Sequence, residues 1–161
     1  MSAPLLRALR PADRAALEAM VRATERFPEP EVAVALELVD LGLSEDAKGY
    51  LFVVAEREGH VAGYACWGRA AMSPGVFDLY WIVVDPRAQG GGVGQALLAH
   101  AEREVRREEG HTLLIETEGS ALYAAARRFY LAAGYVEAGR IADYYGPGKD
   151  KVLYTKRLDR S

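Results

Sequence analysis

The residues with the clearest chemical potential run Val83, Val84, Asp85, Pro86, Arg87, Ala88, Gln89, Gly90, Gly91, Gly92, Val93, Gly94, Gln95, Ala96, Leu97, Leu98. They read as an apolar strand, a glycine-rich turn and the opening of a helix. Glycine tolerates dihedrals that a Cβ blocks, so consecutive amides in such a turn can point into one concavity. A helix that starts there adds partial positive charge at its first turn. Together they form a seat for a phosphate or pyrophosphate that needs no lysine. Two other phosphate-binding patterns fail on spacing. A P-loop carries Lys and Ser/Thr directly after its last glycine, where this chain has Gln95 and Ala96 after Gly94. A dinucleotide fingerprint counted from Gly90 meets Gln95 where it needs a small residue, and counted from Gly92 it meets Leu97.

The elements around this turn can be placed from periodicity and breakers. Residues 5–9 read as a first strand, and Pro11 opens a helix with Leu17, Met20, Val21 and Thr24 at helical spacing. A second helix is expected over residues 31–41, stopped by Gly42. Residues 50–56 and 60–67 form a hairpin across Glu58 and Gly59, and residues 76–84 form another strand, ended by Asp85 and Pro86. A helix follows from about residue 92 to 109, then a strand over 112–117, a helix over 121–133, and closing strands over 135–141 and 152–156. Early hairpins followed by strands alternating with helices predict an α/β fold with a mixed, mostly antiparallel central sheet flanked by helices.

With the turn in this setting, the chain resembles the GNAT superfamily of N-acetyltransferases. The superfamily's central signature is Gln or Arg, two residues, Gly, one residue, then Gly or Ala. Gln89, Gly92 and Gly94 stand in that register, after the typical Val84, Asp85, Pro86. A downstream pattern (Asn, two residues, Ala, two residues, Phe-Tyr, three residues, Gly-Phe or Gly-Tyr) is met by Ala126, Phe129, Tyr130, Gly134 and Tyr135, with Tyr123 in the asparagine place. The resemblance covers nearly the whole chain. It implies that acetyl-CoA is the co-substrate. The amides of Gln89, Gly90, Gly91, Gly92, Val93 and Gly94, with Gln95 beside them, would hold its pyrophosphate. Ile82, Val83 and Val84 would pair with its pantetheine arm as a pseudo-strand. Tyr123, Ala126 and Tyr130, at i, i+3 and i+7 of a helix, would face the same arm.

Acetylating an amine poses two proton problems. A lysine-like amine is mostly protonated at neutral pH, and freeing its lone pair costs about 4.6 kcal/mol unless the site helps. The departing thiolate must also be stabilised, and Tyr130 is the candidate for that, through a hydrogen bond that strengthens as charge builds on sulfur. For the base, Asp78 lies in phase with Tyr80, Ile82 and Val84, near the place where some superfamily members carry a catalytic glutamate. Burial would have to raise its pKa. Glu116 is the alternative, and a water relay is a third. Either carboxylate could instead serve a salt bridge or a cap. Residues 25–48 hold seven acids against two bases, an acidic rim suited to a cationic amine or simply a solvated helix face. The loop of Asp143, Tyr144, Tyr145, Gly146 and Pro147 could supply another wall.

Bulk properties bound the rest. The chain has 161 residues, half of them hydrophobic and 27% charged, with net charge −3, so a single domain over 1–161 is expected and nucleic acid is a poor partner. Cys66 is the sole cysteine and shows no partner for a nucleophile, and the histidines suggest no metal site. The arginine-bearing start lacks a signal-peptide core, and no stretch is apolar enough to span a membrane, which makes cytoplasm the expected compartment. The expectation is therefore an acetyl-CoA-dependent N-acetyltransferase using direct attack by a small-molecule or peptide amine, with a homodimer left open. A catalytically idle acyl-CoA-binding sensor or scaffold is the alternative.

Overall fold

Glu58 and Gly59 both take positive φ, 53° and 79°, and this tight turn joins β2 (Leu51–Arg57) to β3 (His60–Arg69) as an antiparallel hairpin. The structure, a computed structural model, describes residues 2–158. Strands β1 (Leu5–Arg7), β4 (Val76–Val84), β5 (Thr112–Glu118), β6 (Val136–Ile141) and β7 (Lys151–Arg157) complete a seven-stranded sheet in the order β1-β2-β3-β4-β5-β7-β6. Pairs β1/β2, β2/β3, β5/β7 and β6/β7 are antiparallel and β4/β5 is parallel. With helices α1 (Arg14–Ala23), α2 (Glu29–Leu43), α3 (Val93–Arg107) and α4 (Ala124–Ala132), this is the mixed, mostly antiparallel α/β fold expected from the sequence.

Backbone contacts divide the chain into two compact units, residues 2–68 with Trp81–Arg103, and Arg69–Tyr80 with 104–158. In the first, α1 buries Leu17, Met20 and Val21 and α2 buries Val32, Ala35 and Val39, in one cluster with Val54 and Tyr64. Each fully buried Val, Leu or Met side chain among them contributes roughly 1.5–3 kcal/mol. Helix α2 starts two residues earlier than expected and runs through Gly42 to Leu43. The expected stop at Gly42 is wrong for a packing reason: a Cβ there would strike the ring of Phe52. The missing side chain serves close approach and does not break the helix.

In the second unit, β4 and β5 pair from Val76↔Thr112 to Leu79↔Ile115, and there the ladder ends. Strand β7 lies between β5 and β6 although it is last in the sequence. Phe77, Leu113, Ile115, Val152 and Tyr154 are buried. The helix expected over 121–133 is a 3-10 turn, Ala121–Tyr123, followed by α4. Gly134, at φ 95°, ends α4, and the Tyr135 amide donates to the Tyr130 carbonyl at 3.0 Å. Lys156 donates to the Ala133 carbonyl at 2.9 Å and satisfies another carbonyl of that last turn.

Candidate active site

The first unit carries the glycine turn. The Asp85 amide donates to the Ala62 carbonyl at 2.9 Å, which ties the end of β4 to β3. The buried Asp85 carboxylate accepts from the Arg87 amide at 2.9 Å and pairs with its guanidinium, which holds this carboxyl below its ordinary pKa. A 3-10 turn, Pro86–Ala88, leads to Gln89. Gly90 and Gly92 then take φ of 80° and 81°, while Gly91 between them does not enter that region. This alternation of hand turns successive amides into a concavity. No atom lies within 4 Å of where a Gly90 Cβ would stand, and only Gln95 Oε1, at 3.8 Å, approaches the Gly92 position. The turn is open on that side.

Helix α3 begins directly at Val93, and the Ala96 amide closes its first turn on the Gly92 carbonyl at 3.0 Å. The amides before Ala96 have no acceptor within the helix, so Val93, Gly94 and Gln95 add donors and the positive end of the dipole. This fits an anionic diphosphate: many donors, no acidic side chain within residues 89–95, and no Cβ in the way. Two residues outside the motif shape the turn, and neither carries a local signal that would have revealed it. A Cβ on Gly63 of β3 would lie 2.8 Å from the Val83 carbonyl oxygen, 3.0 Å from Val93 and 3.1 Å from Leu97, so glycine lets α3 lie close against the strands. Arg57, at the end of β2, donates to the Gly91 carbonyl at 2.6 Å. In β4, Val83 is buried whereas Ile82 and Val84 are half-buried, the alternation expected of a strand with one more open face.

The second unit carries the titratable groups. Tyr130 is buried, 7% exposed, with its ring 5.5 Å from Phe129, 6.3 Å from Tyr135 and 6.1 Å from Tyr154. Tyr123 closes the 3-10 turn at φ −103°, whereas Ala126 and Tyr130 lie within α4 itself. Arg127 donates from one nitrogen to the carbonyls of Glu118 and Ser120, at 2.7 and 2.6 Å, and so pins the segment between β5 and α4.

Asp78 and Glu116 project from one face of β4 and β5, since Asp78 pairs with Leu114 and Glu116 follows two residues on. Burial, and secondarily the Glu116 charge, raise the Asp78 pKa above its ordinary value. Glu116 is exposed and pairs with Lys151 at 3.2 Å, and the Lys151 ammonium stands 4.4 Å from the Tyr144 ring centre. Lys151 also escaped the sequence reading, because only the β5/β7 register brings it there. Tyr154 is opposite Ile115, so its side chain emerges on the reverse face from Glu116. Within this unit, then, Tyr130 and the two carboxylates occupy opposite faces of the sheet. Tyr144 and Tyr145 contact edge to face at 4.8 Å, on a loop braced by Asp150, which accepts from the Asp143 amide at 3.0 Å. Cys66 is fully buried and its thiol pKa is pushed up by that burial, so it is no nucleophile.

A seven-stranded mixed sheet with a glycine turn at a helix start defines a class, and comparison with known proteins identifies it. Residues 48–137 match the Acetyltransferase (GNAT) domain. The chain belongs to the GNAT acetyltransferase family. It is 35% identical over 107 residues to a blasticidin-S acetyltransferase of Streptomyces morookaense, covering 60% of this chain and 74% of that protein. It is also 32% identical over 140 residues to a mycothiol acetyltransferase of Sanguibacter keddieii, covering 83% of this chain but only 44% of that relative's length. Among solved structures, a Desulfovibrio desulfuricans protein assigned by inference to the GNAT family superposes with a TM-score of 0.93 at 39% identity, covering 98% of this chain and 100% of that one. The ribosomal-protein-S18-alanine N-acetyltransferase of Escherichia coli superposes at 0.77 with 25% identity, covering 98% and 96%. Among the described residues, no helix is long and apolar enough to cross a membrane.

Proposed function

We propose that residues 1–161 act as one acetyltransferase domain that moves an acetyl group from acetyl-CoA to a primary amine by direct attack. The observation that carries this reading is the turn of Gly90, Gly91 and Gly92, with alternating backbone hand and an open side, at the start of α3. Its amides would bind the pyrophosphate, and Ile82, Val83 and Val84 would pair with the pantetheine arm. Acetyl-CoA supplies an activated acyl carbon: the amine nitrogen bonds to it, the carbon–sulfur bond breaks, and a proton leaves nitrogen while sulfur gains one.

The chain's own groups divide these tasks by face. Asp78 takes the amine proton, since burial raises its pKa toward the working pH and makes it a better base than an exposed aspartate. Glu116, whose charge helps raise the Asp78 pKa, is itself paired with Lys151. The loop of Tyr144 and Tyr145 would form another wall for the acceptor, with the Tyr144 ring already met by Lys151. On the reverse face Tyr130, with Tyr123 and Ala126 nearby in sequence, hydrogen-bonds the sulfur as it becomes a thiolate. Because the amine nitrogen and the sulfur are bonded to one acyl carbon during the attack, that carbon lies within reach of Tyr130. The amine proton then reaches Asp78 on the other face through a water relay. A small molecule or a peptide amine fits this chemistry, as does action in the cytoplasm.

The test is thiol release from acetyl-CoA across a panel of small cationic amines and peptide α-amines. Turnover is expected with at least one cationic amine. Tight acetyl-CoA binding with no thiol release from any amine would instead favour the sensor reading, to which Tyr123 in the asparagine place already points.

A further inference from the structure

We infer that Arg57 is a positioning residue for the acetyl donor: by holding the Gly91 carbonyl, its guanidinium aims the Gly92 amide into the anion turn. This rests on the proposed pyrophosphate seat and adds a residue that lies 34 positions away from it in sequence. The geometry follows from the peptide unit. No cis peptide bond occurs among the described residues, and in a trans unit the carbonyl and the following N–H point in opposite directions. Fixing the Gly91 oxygen on Arg57 Nη2, at 2.6 Å, therefore fixes the Gly92 hydrogen on the far side. Without that hold, a three-glycine turn has many alternative orientations for this unit, because each glycine samples both hands.

Two further features show that the contact is built in. A Cβ on Gly91 would fall on Arg57 Nη1, so the guanidinium occupies the place a side chain there would take. The root of Arg57 is also fixed. It is the last residue of β2, paired with His60 across the tight Glu58 and Gly59 turn. A charged donor on a carbonyl is about twice as strong as a neutral one, which suits a contact that must hold one peptide unit steady.

The experiment compares acetyl-CoA with acetyl-pantetheine, which lacks the pyrophosphate, as ligands of the parent protein, Arg57→Met and Gly91→Ala. The parent should bind acetyl-CoA at least about tenfold more tightly than acetyl-pantetheine, on the scale of one charge-assisted hydrogen bond. If it does not, the turn is not a pyrophosphate seat, and the broader reading falls with this one. Given that preference, Arg57→Met should weaken acetyl-CoA about tenfold and leave acetyl-pantetheine nearly unchanged, with kcat at saturating donor little altered. Gly91→Ala, which displaces the guanidinium from the other side, should do the same, and the double variant should be no worse than either single. Equal weakening of both donors would mean that Arg57 supports the fold alone, and would overturn the inference. So would a Gly91→Ala protein that keeps the full preference, since Arg57 would then act other than through Gly91. Should Arg57→Met not fold, the Gly91→Ala arm decides.

Discussion

The two units pin a loop by the same device but present different chemical groups beside it. In the first, Arg57 holds a carbonyl of the glycine turn, and in the second Arg127 holds two carbonyls ahead of α4. Beyond that the halves part. The first presents backbone donors, which have no pKa near neutrality and depend only on where the main chain runs. The second presents Asp78, Glu116, Lys151 and Tyr130, whose behaviour depends on burial and neighbouring charge. One half should therefore be sensitive to added bulk and indifferent to pH. The other should tolerate isosteres structurally and respond to them chemically.

The harshest way to break this comparison is to give the turn a side chain. Gly92→Asp adds a Cβ at φ 81° and a negative charge facing an anion, so acetyl-CoA affinity should fall by about a hundredfold or more. Calorimetric titration of the folded variant checks it, and unchanged affinity would place the ligand elsewhere. In the second half, Tyr130→Phe keeps the ring packing and removes only the hydroxyl. There kcat should fall by roughly 10–100-fold with little change in donor affinity, because the hydrogen bond counts for most as charge builds on sulfur. A pre-steady-state burst of thiol with the parent's amplitude and rate in this variant would remove Tyr130 from the reaction.

What could be read before the structure follows the same divide. The turn, β4 and α3 were legible because their causes are local: a glycine cluster, a Val-Asp-Pro ending and one helical period. The boundaries of β4 match the expected ones, Val76–Val84. Gly42 misled because a glycine that admits a distant ring, here Phe52, looks the same in sequence as one that ends a helix. Arg57, Gly63 and Lys151 were invisible for a related reason. Each matters through a partner distant in sequence, which only the tertiary arrangement brings close. The insertion of β7 between β5 and β6 likewise leaves no local trace. It decides that Glu116 meets Lys151 and that Tyr130 meets Tyr154, and hence which face each occupies.

The gentlest test is also the most specific to the second half, because it predicts that stability and activity move in opposite directions. The Asp78 carboxyl has a pKa raised from its ordinary 3.8, chiefly by burial, so the folded state holds its proton more tightly than the unfolded chain does. Below pH 3.8 the group is protonated in both states and costs nothing. As pH rises through the raised folded value, the native state must bear a partly buried charge, and stability is lost. Asp78→Asn removes that cost. Since the group is partly exposed, the gain is small, on the order of 1 °C in Tm at pH 7, shrinking to nothing as pH approaches 3.8. In the same variant kcat/KM should drop, and its rise with pH on the acidic side should lose the step assigned to this carboxyl. Melting curves and rate profiles over one pH series read both. If the variant is less stable at pH 7 than at pH 4 relative to the parent, the carboxylate is being stabilised by its surroundings. If the acidic limb persists unchanged, the proton goes to another base, and Asp78 is an electrostatic neighbour of the acceptor.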